Sequence, residues 1–101
     1  MEKQHFFLRL IPPRPTFAYD MSESERAVML QHVSYMQQHF AHGRVLIYGP
    51  VLGKADSFGM GVLEVADEAE ARQLMDADPT VLAGLNRYEI SPMRVGAARG
   101  V

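Results

Sequence analysis

The chain contains no cysteine, which excludes thiol nucleophiles, Cys-type zinc sites, iron–sulfur clusters and disulfide staples, and leaves the redox compartment open. A surplus of positive charge is also missing. Ten Lys and Arg stand against twelve Asp and Glu for a net charge of -2, so bulk charge offers nothing to neutralise nucleic-acid phosphates or an anionic membrane. Nor is there a long apolar run. Phe6-Phe7-Leu8 is cut by Arg9, lacks a small-residue cleavage site and runs into Pro12-Pro13, which suits neither a signal peptide nor a membrane span. These absences predict a cytoplasmic protein with no nucleic-acid and no membrane partner. Linkers, low-complexity segments and internal sequence repeats are absent as well. What is present is 101 residues, 48% hydrophobic and 22% charged, a composition of one compact domain that buries roughly 65% of its extended-chain surface.

Local pattern divides the chain into six main elements. Gln4 to Ile11 is aromatic and branched and is stopped by Pro12, Pro13 and Pro15, a first strand followed by a stiff loop. Ser22-Glu23-Ser24-Glu25 is a capping box that opens a helix to about Ala41, with an apolar stripe Met29, Val33, Met36 and Phe40 expected in the core and Gly43 as its left-handed stop. Arg44 to Tyr48 reads as a strand ending at Gly49-Pro50, followed by a polar turn over 53–58 and a third strand from Gly59 or Met60 to Ala66. Asp67 with Glu70 caps a second helix to about Ala77, burying Ala71, Leu74 and Met75. Pro79 starts a short helical turn ended by Gly84, and Arg87 to Met93 is a last strand interrupted near Pro92. Residues 1–95 form the domain and 96–101 a loose tail. The order, strand, helix, strand, strand, helix, strand, is that of a ferredoxin-like βαββαβ α+β sandwich.

In such a sandwich both helices cover one sheet face, so strands should alternate apolar and polar. They do not alternate cleanly: Val45 to Tyr48 is continuous, and strand one carries Phe6, Phe7, Leu8, Leu10 and Ile11. The predicted cover for the second face is another copy of the chain, a homodimer packed sheet to sheet; the alternative is that several of these side chains are simply exposed.

Few residues carry chemistry by pattern. His32, Tyr35 and His39, spaced by three and four, form a polar and aromatic stripe that either borders a pocket or is a solvated helix flank. His39 and His42 begin no complete metal-ligand set, and neither metal nor cofactor is expected. The roles of His5, His39 and His42 stay open. Asp78 before Pro79 reads first as a helix N-cap. Gly49-Pro50-Val51-Leu52-Gly53-Lys54 is one residue short of a phosphate loop and has Ala55 where Ser or Thr is needed. Gly59-Met60-Gly61 leads into a strand and so marks a tight turn or bulge, not a dinucleotide site. Ser34 and Ser57 lack a nucleophile elbow.

Taken together, His32 with Tyr35, Gly43, Gly49-Pro50 and Asp78-Pro79 followed by Ala83-Gly84 resemble, in order and spacing, the YCII-related family of dimeric α/β-barrel proteins with a ferredoxin-like subunit; Gly59, Gly61 and Pro92 are similar too. The resemblance implies a small-molecule ligand and a His–Asp pair at a cleft, carried here onto His32 and Asp78, in which the carboxylate fixes the imidazole tautomer for general-base work. It implies proton abstraction in the elimination or isomerisation of a small ring or hydroxy compound, as in dehydrochlorination of chlorinated hydroxyquinones. Tyr35, Gly49 and Pro50 are the implied substrate contacts. Arg9 is placed either to pair with a substrate anion or to pair with Glu64 or Glu89 across the sheet. A non-catalytic binding or regulatory module, or a purely structural dimer, is the alternative reading.

Overall fold

Strand alternation sets the layers. In the computed structural model, which describes residues 2–100, β1 (Gln4–Ile11) buries Phe6, Leu8 and Leu10 on one face and turns His5, Phe7, Arg9 and Ile11 to the other. The proline-rich segment after it holds a four-residue helix, α1 (Phe17–Asp20), where the sequence predicts only a stiff loop. Ser22 then opens α2 (Glu23–Ala41) with the reciprocal cap expected: the Glu25 N–H donates to Ser22 Oγ and the Ser22 N–H to Glu25 Oε1. Gly43, at φ 78°, supplies the left-handed stop.

β2 (Val45–Val51) runs past Gly49-Pro50, and β4 (Arg87–Met93) runs through Pro92. Both outcomes differ from the expectation for one reason. The sheet order is β2-β3-β1-β4, with β3 (Phe58–Val65) inside, so the two prolines lie in edge strands, where a missing N–H need cost no ladder bond. All three neighbouring pairs are antiparallel. The irregularity in the sheet falls between Val45 and Ile47, not at Gly59-Met60-Gly61, which is regular strand facing Leu10, Arg9 and Leu8. α3 (Glu68–Asp76) is capped by Asp67 and buries Ala71, Leu74 and Met75 as expected, and α4 (Pro79–Leu82) follows directly. Residues 94–100 form no helix or strand. The fold is therefore the ferredoxin-like α+β sandwich.

The core joins Phe6, Leu8, Leu10, Leu63 and Val65 of the sheet to Met36 of α2 and to Ala71, Leu74 and Met75 of α3. Of the stripe expected in the core of α2, Met36 alone is buried; Met29 is half-buried, and Val33 and Phe40 are 49% and 45% exposed. For Met29 and Val33 the reason lies under that helix, where a cleft replaces packed side chains; Phe40, outside the cleft, lies edge-on to Tyr48. On the opposite sheet face Phe7, Met60 and Val62 sit among Arg9, Glu64 and Glu89, with Ile47 55% exposed at the edge. No helix among the described residues is long and apolar enough to cross a membrane.

Candidate functional site

The sheet and the first half of α2 do not close on each other completely, because β2 and β3 carry glycines where side chains would fill the gap. Gly49, Pro50 and Gly59 lie along the floor of the resulting cleft, of about 320 Å³. A Cβ on Gly59 would approach Leu10 Cβ at 3.0 Å, and one on Gly61 would approach Leu8 Cδ2 at 3.2 Å. Leu8, Leu10, Phe17, Met29, Val33 and Met36 make the walls apolar. Arg26 stands in the lining with them, and His32 and Asn86 supply polar groups.

α1 shapes one end of this space, and a charged cluster fixes it. The Arg14 guanidinium donates to Asp20 Oδ1 at 2.9 Å and to both carboxylate oxygens of Glu25 at 2.8 Å, and Tyr19 Oη donates to Gly53 O at 2.9 Å. These hydrogen bonds from Arg14, with the one from the Ser22 N–H, hold the Glu25 carboxyl down at about 2. Phe17, carried into the cleft by α1, is, with Asn86, a wall residue that sequence reading missed. Thr16 before an apolar pair is the signal for it, masked by the prolines around it.

His32, in the middle of α2, has its side chain 12% exposed. Its Nδ1 lies 2.6 Å from Asp78 Oδ2. Asp78 is fully buried, and its other oxygen, Oδ1, accepts the Thr80 N–H at 2.8 Å and the Thr80 hydroxyl at 2.6 Å. The carboxylate therefore caps α4 through Oδ1 and meets His32 through Oδ2. Burial is the strongest influence on the Asp78 carboxyl and pushes its pKa up; the hydrogen bonds from His32 and Thr80 outweigh it, so the group stays below the ordinary carboxylate range. With Nδ1 taken, Nε2 is the ring nitrogen left for the cleft, and none of the described residues bonds it.

The other predicted site residues separate. Gly49 and Pro50 line the cleft. Tyr35 does not: its hydroxyl donates to Leu74 O, near the end of α3 where carbonyls lack intrahelical partners, so it ties α2 to α3. Its expected contact with substrate is corrected accordingly. Burial, then the Asp78 charge, push the Tyr35 hydroxyl pKa up. Arg9 is likewise not at the cleft. Strand alternation turns it to the open sheet face, where its guanidinium sits 3.8 Å from the centre of the Phe58 ring and Glu89 is its register neighbour.

His5 Nε2 meets Glu64 Oε2 across the sheet at 3.0 Å. His42 Nδ1 lies 2.7 Å from Gln38 O at the end of α2. His39 packs edge-on against Tyr35 in a second hollow with Arg44, Glu70 and Gln73, and burial, Arg44 and His42 all lower its pKa. Among the described residues no three His, Asp or Glu side chains gather as a metal site.

Comparison with known proteins adds the following. The family model of the YCII-related domain matches residues 5–94. No curated protein matches. Among solved structures, the chain is similar to 5-chloro-2-hydroxyhydroquinone dehydrochlorinase from Burkholderia phenoliruptrix AC1100, in complex with 2,5-dihydroxybenzoquinone, with a TM-score of 0.67 and 20% identity over 90% of this chain and 95% of that one. A second similar structure is SnoaB, a cofactor-independent oxygenase from Streptomyces nogalater, with a TM-score of 0.48 and 13% identity over 100% of both chains.

Proposed function

The chain belongs to the YCII-related family, and on that premise we propose that it binds a small hydroxylated ring compound in the cleft beneath α2 and uses His32 as a general base. The observation that carries the reading is the 2.6 Å bond between His32 Nδ1 and the buried Asp78 carboxylate at the wall of an apolar cleft. An acceptor on that side makes Nδ1–H the favoured neutral tautomer and leaves the lone pair on Nε2 for a substrate proton. As Nε2 takes an O–H or C–H proton, the freed electron pair enters the ring. In an elimination a leaving group such as chloride departs with its own bonding pair; in an isomerisation the proton returns to another atom. The imidazolium formed is stabilised by Asp78, which itself gains no proton. Apolar walls strengthen this attraction by excluding water.

A volume of about 320 Å³ is at the small end of small-molecule sites, which run from about 300 to 1,000 Å³. It supports a one-ring ligand. The dehydrochlorinase named above acts on a ring of that size, and by this likeness a chlorinated hydroxyhydroquinone is the first substrate to try. The open sheet face, apolar at Phe7, Ile47, Met60 and Val62, supports the further proposal that two copies pack through it.

The test is chloride release and solvent-deuterium incorporation, followed by NMR in D₂O, with chlorinated and unchlorinated hydroxyhydroquinones. A positioned base contributes about 10² to 10⁴ in rate, and His32→Ala is expected to lose that factor while its circular dichroism is unchanged. Equal rates in both proteins would overturn the base role, and saturable binding with no chemistry in the parent protein would make the cleft a binding site alone.

A further inference from the structure

Asn86 lies in the cleft wall, and its hydrogen bonding is incomplete. The residue is 5% exposed, Oδ1 is buried with no partner, and Nδ2 donates to a thioether, Met29 Sδ, at 3.4 Å. A sulfur of that type accepts and cannot donate, so the nitrogen is the amide atom that belongs beside it and the orphan is the carbonyl oxygen. Leaving such an acceptor unmatched is unfavourable, and a leucine in its place would carry no such cost.

The backbone holds Asn86 to the same support as the base. Its N–H and that of Leu85 both donate to Thr80 O, and Thr80 in turn bonds Asp78, which orients His32. Met29, three residues before His32 on α2, covers the amide. A methionine is unbranched and gives way to a ligand at small cost.

Resting on the ligand reading above, we infer that Asn86 is a specificity-determining residue that accepts a hydrogen bond from a ligand hydroxyl. The unfilled acceptors of the cleft are His32 Nε2 and Asn86 Oδ1, once Nδ1 holds the imidazole proton. A ligand that meets both brings two donors, the proton to be removed and a hydroxyl for Asn86, to walls where, among the described residues, the Tyr48 and Ser57 hydroxyls are already bonded and Arg26 is the one cation. A hydroxyl can also accept from the remaining Nδ2 proton; a methoxy group has no proton to give. A neutral diol on one ring fits these demands, and a carboxylate turned toward Asn86 does not.

The probes are hydroquinone, 4-methoxyphenol and 1,4-dimethoxybenzene, titrated by NMR into the parent protein, Asn86→Leu, Asn86→Asp and His32→Ala. Hydroquinone is expected to bind the parent at least about tenfold more tightly than the dimethoxy compound and to shift the Asn86 side-chain amide resonances. Asn86→Leu is expected to lower that preference to the part that His32 Nε2 alone supplies, while Asn86→Asp, which keeps the acceptor, retains it. His32→Ala keeps the preference that depends on Asn86, so loss of the base role and loss of this inference give different results. The inference is overturned by an unchanged preference in Asn86→Leu, by amide resonances that hydroquinone does not move, or by a parent protein that holds none of the three rings. If Asn86→Leu does not fold, the parent's own preference and amide shifts decide.

Discussion

At Asp78 one side chain does two jobs. Oδ1 caps the start of α4 by taking both donors of Thr80, and Oδ2 holds His32. The arrangement has a thermodynamic consequence. A carboxyl whose pKa is lower in the folded than in the unfolded state contributes stability above its unfolded value, near 3.9, and that contribution disappears as pH falls through the folded value. Asp78 is such a group, and Glu25, held at about 2 by Arg14 and Ser22, is another. Urea unfolding is therefore expected to give a stability that is level in these two terms from pH 7 to about 5 and falls below about pH 4. Thr80→Val removes one hydrogen bond to the buried charge, a loss of about 1.5–3 kcal/mol at pH 7. It also weakens one of the influences that depress Asp78, so its acid limb is expected to begin at higher pH than in the parent. Coincident limbs would show that the Thr80 hydroxyl does not hold the carboxylate in its charged form.

At the scale of elements, the capped helices were legible and the cleft was not. Ser22 with Glu25, Asp67 with Glu70, and Asp78 before Pro79 form the caps that their spacing predicts, because a cap is decided within four residues. Ser22→Ala is expected to cost about 1 kcal/mol of unfolding free energy, read by chemical denaturation. The reach of β2 through Pro50 and of β4 through Pro92 follows from their edge positions, which no local pattern encodes. Gly59 and Gly61 in β3 show the same limit: their lack of side chains matters because Leu10 and Leu8 lie opposite on β1. Gly61→Val, forcing a branched side chain against Leu8, is expected to destabilise the fold by about 1–3 kcal/mol through overpacking, with a lowered melting temperature as the readout.

For the whole molecule, the open sheet face is the feature with the widest consequence. If two copies pack through it, Ile47→Glu places a charge at its edge and shifts the sedimentation coefficient toward the monomer, while Leu82→Glu, at an exposed site in α4, leaves it unchanged. A parent protein that sediments as a monomer at all concentrations would refute the dimer. By itself the sequence determined the order of the six main elements, the caps, the left-handed stop at Gly43 and the βαββαβ sandwich, since each depends on periodicity or on neighbours a few residues apart. The pairing of His32 with Asp78 was reached from the sequence by family likeness, not by spacing, for forty-six positions separate them. Tertiary structure decided the rest. It sent Tyr35 to the Leu74 carbonyl and Arg9 to the far sheet face, brought Phe17 and Asn86 into the cleft wall, and left half of the apolar stripe of α2 uncovered. The physical reason is that a cavity is defined by the groups that fail to meet across it, and whether side chains from different elements meet is fixed only when those elements pack.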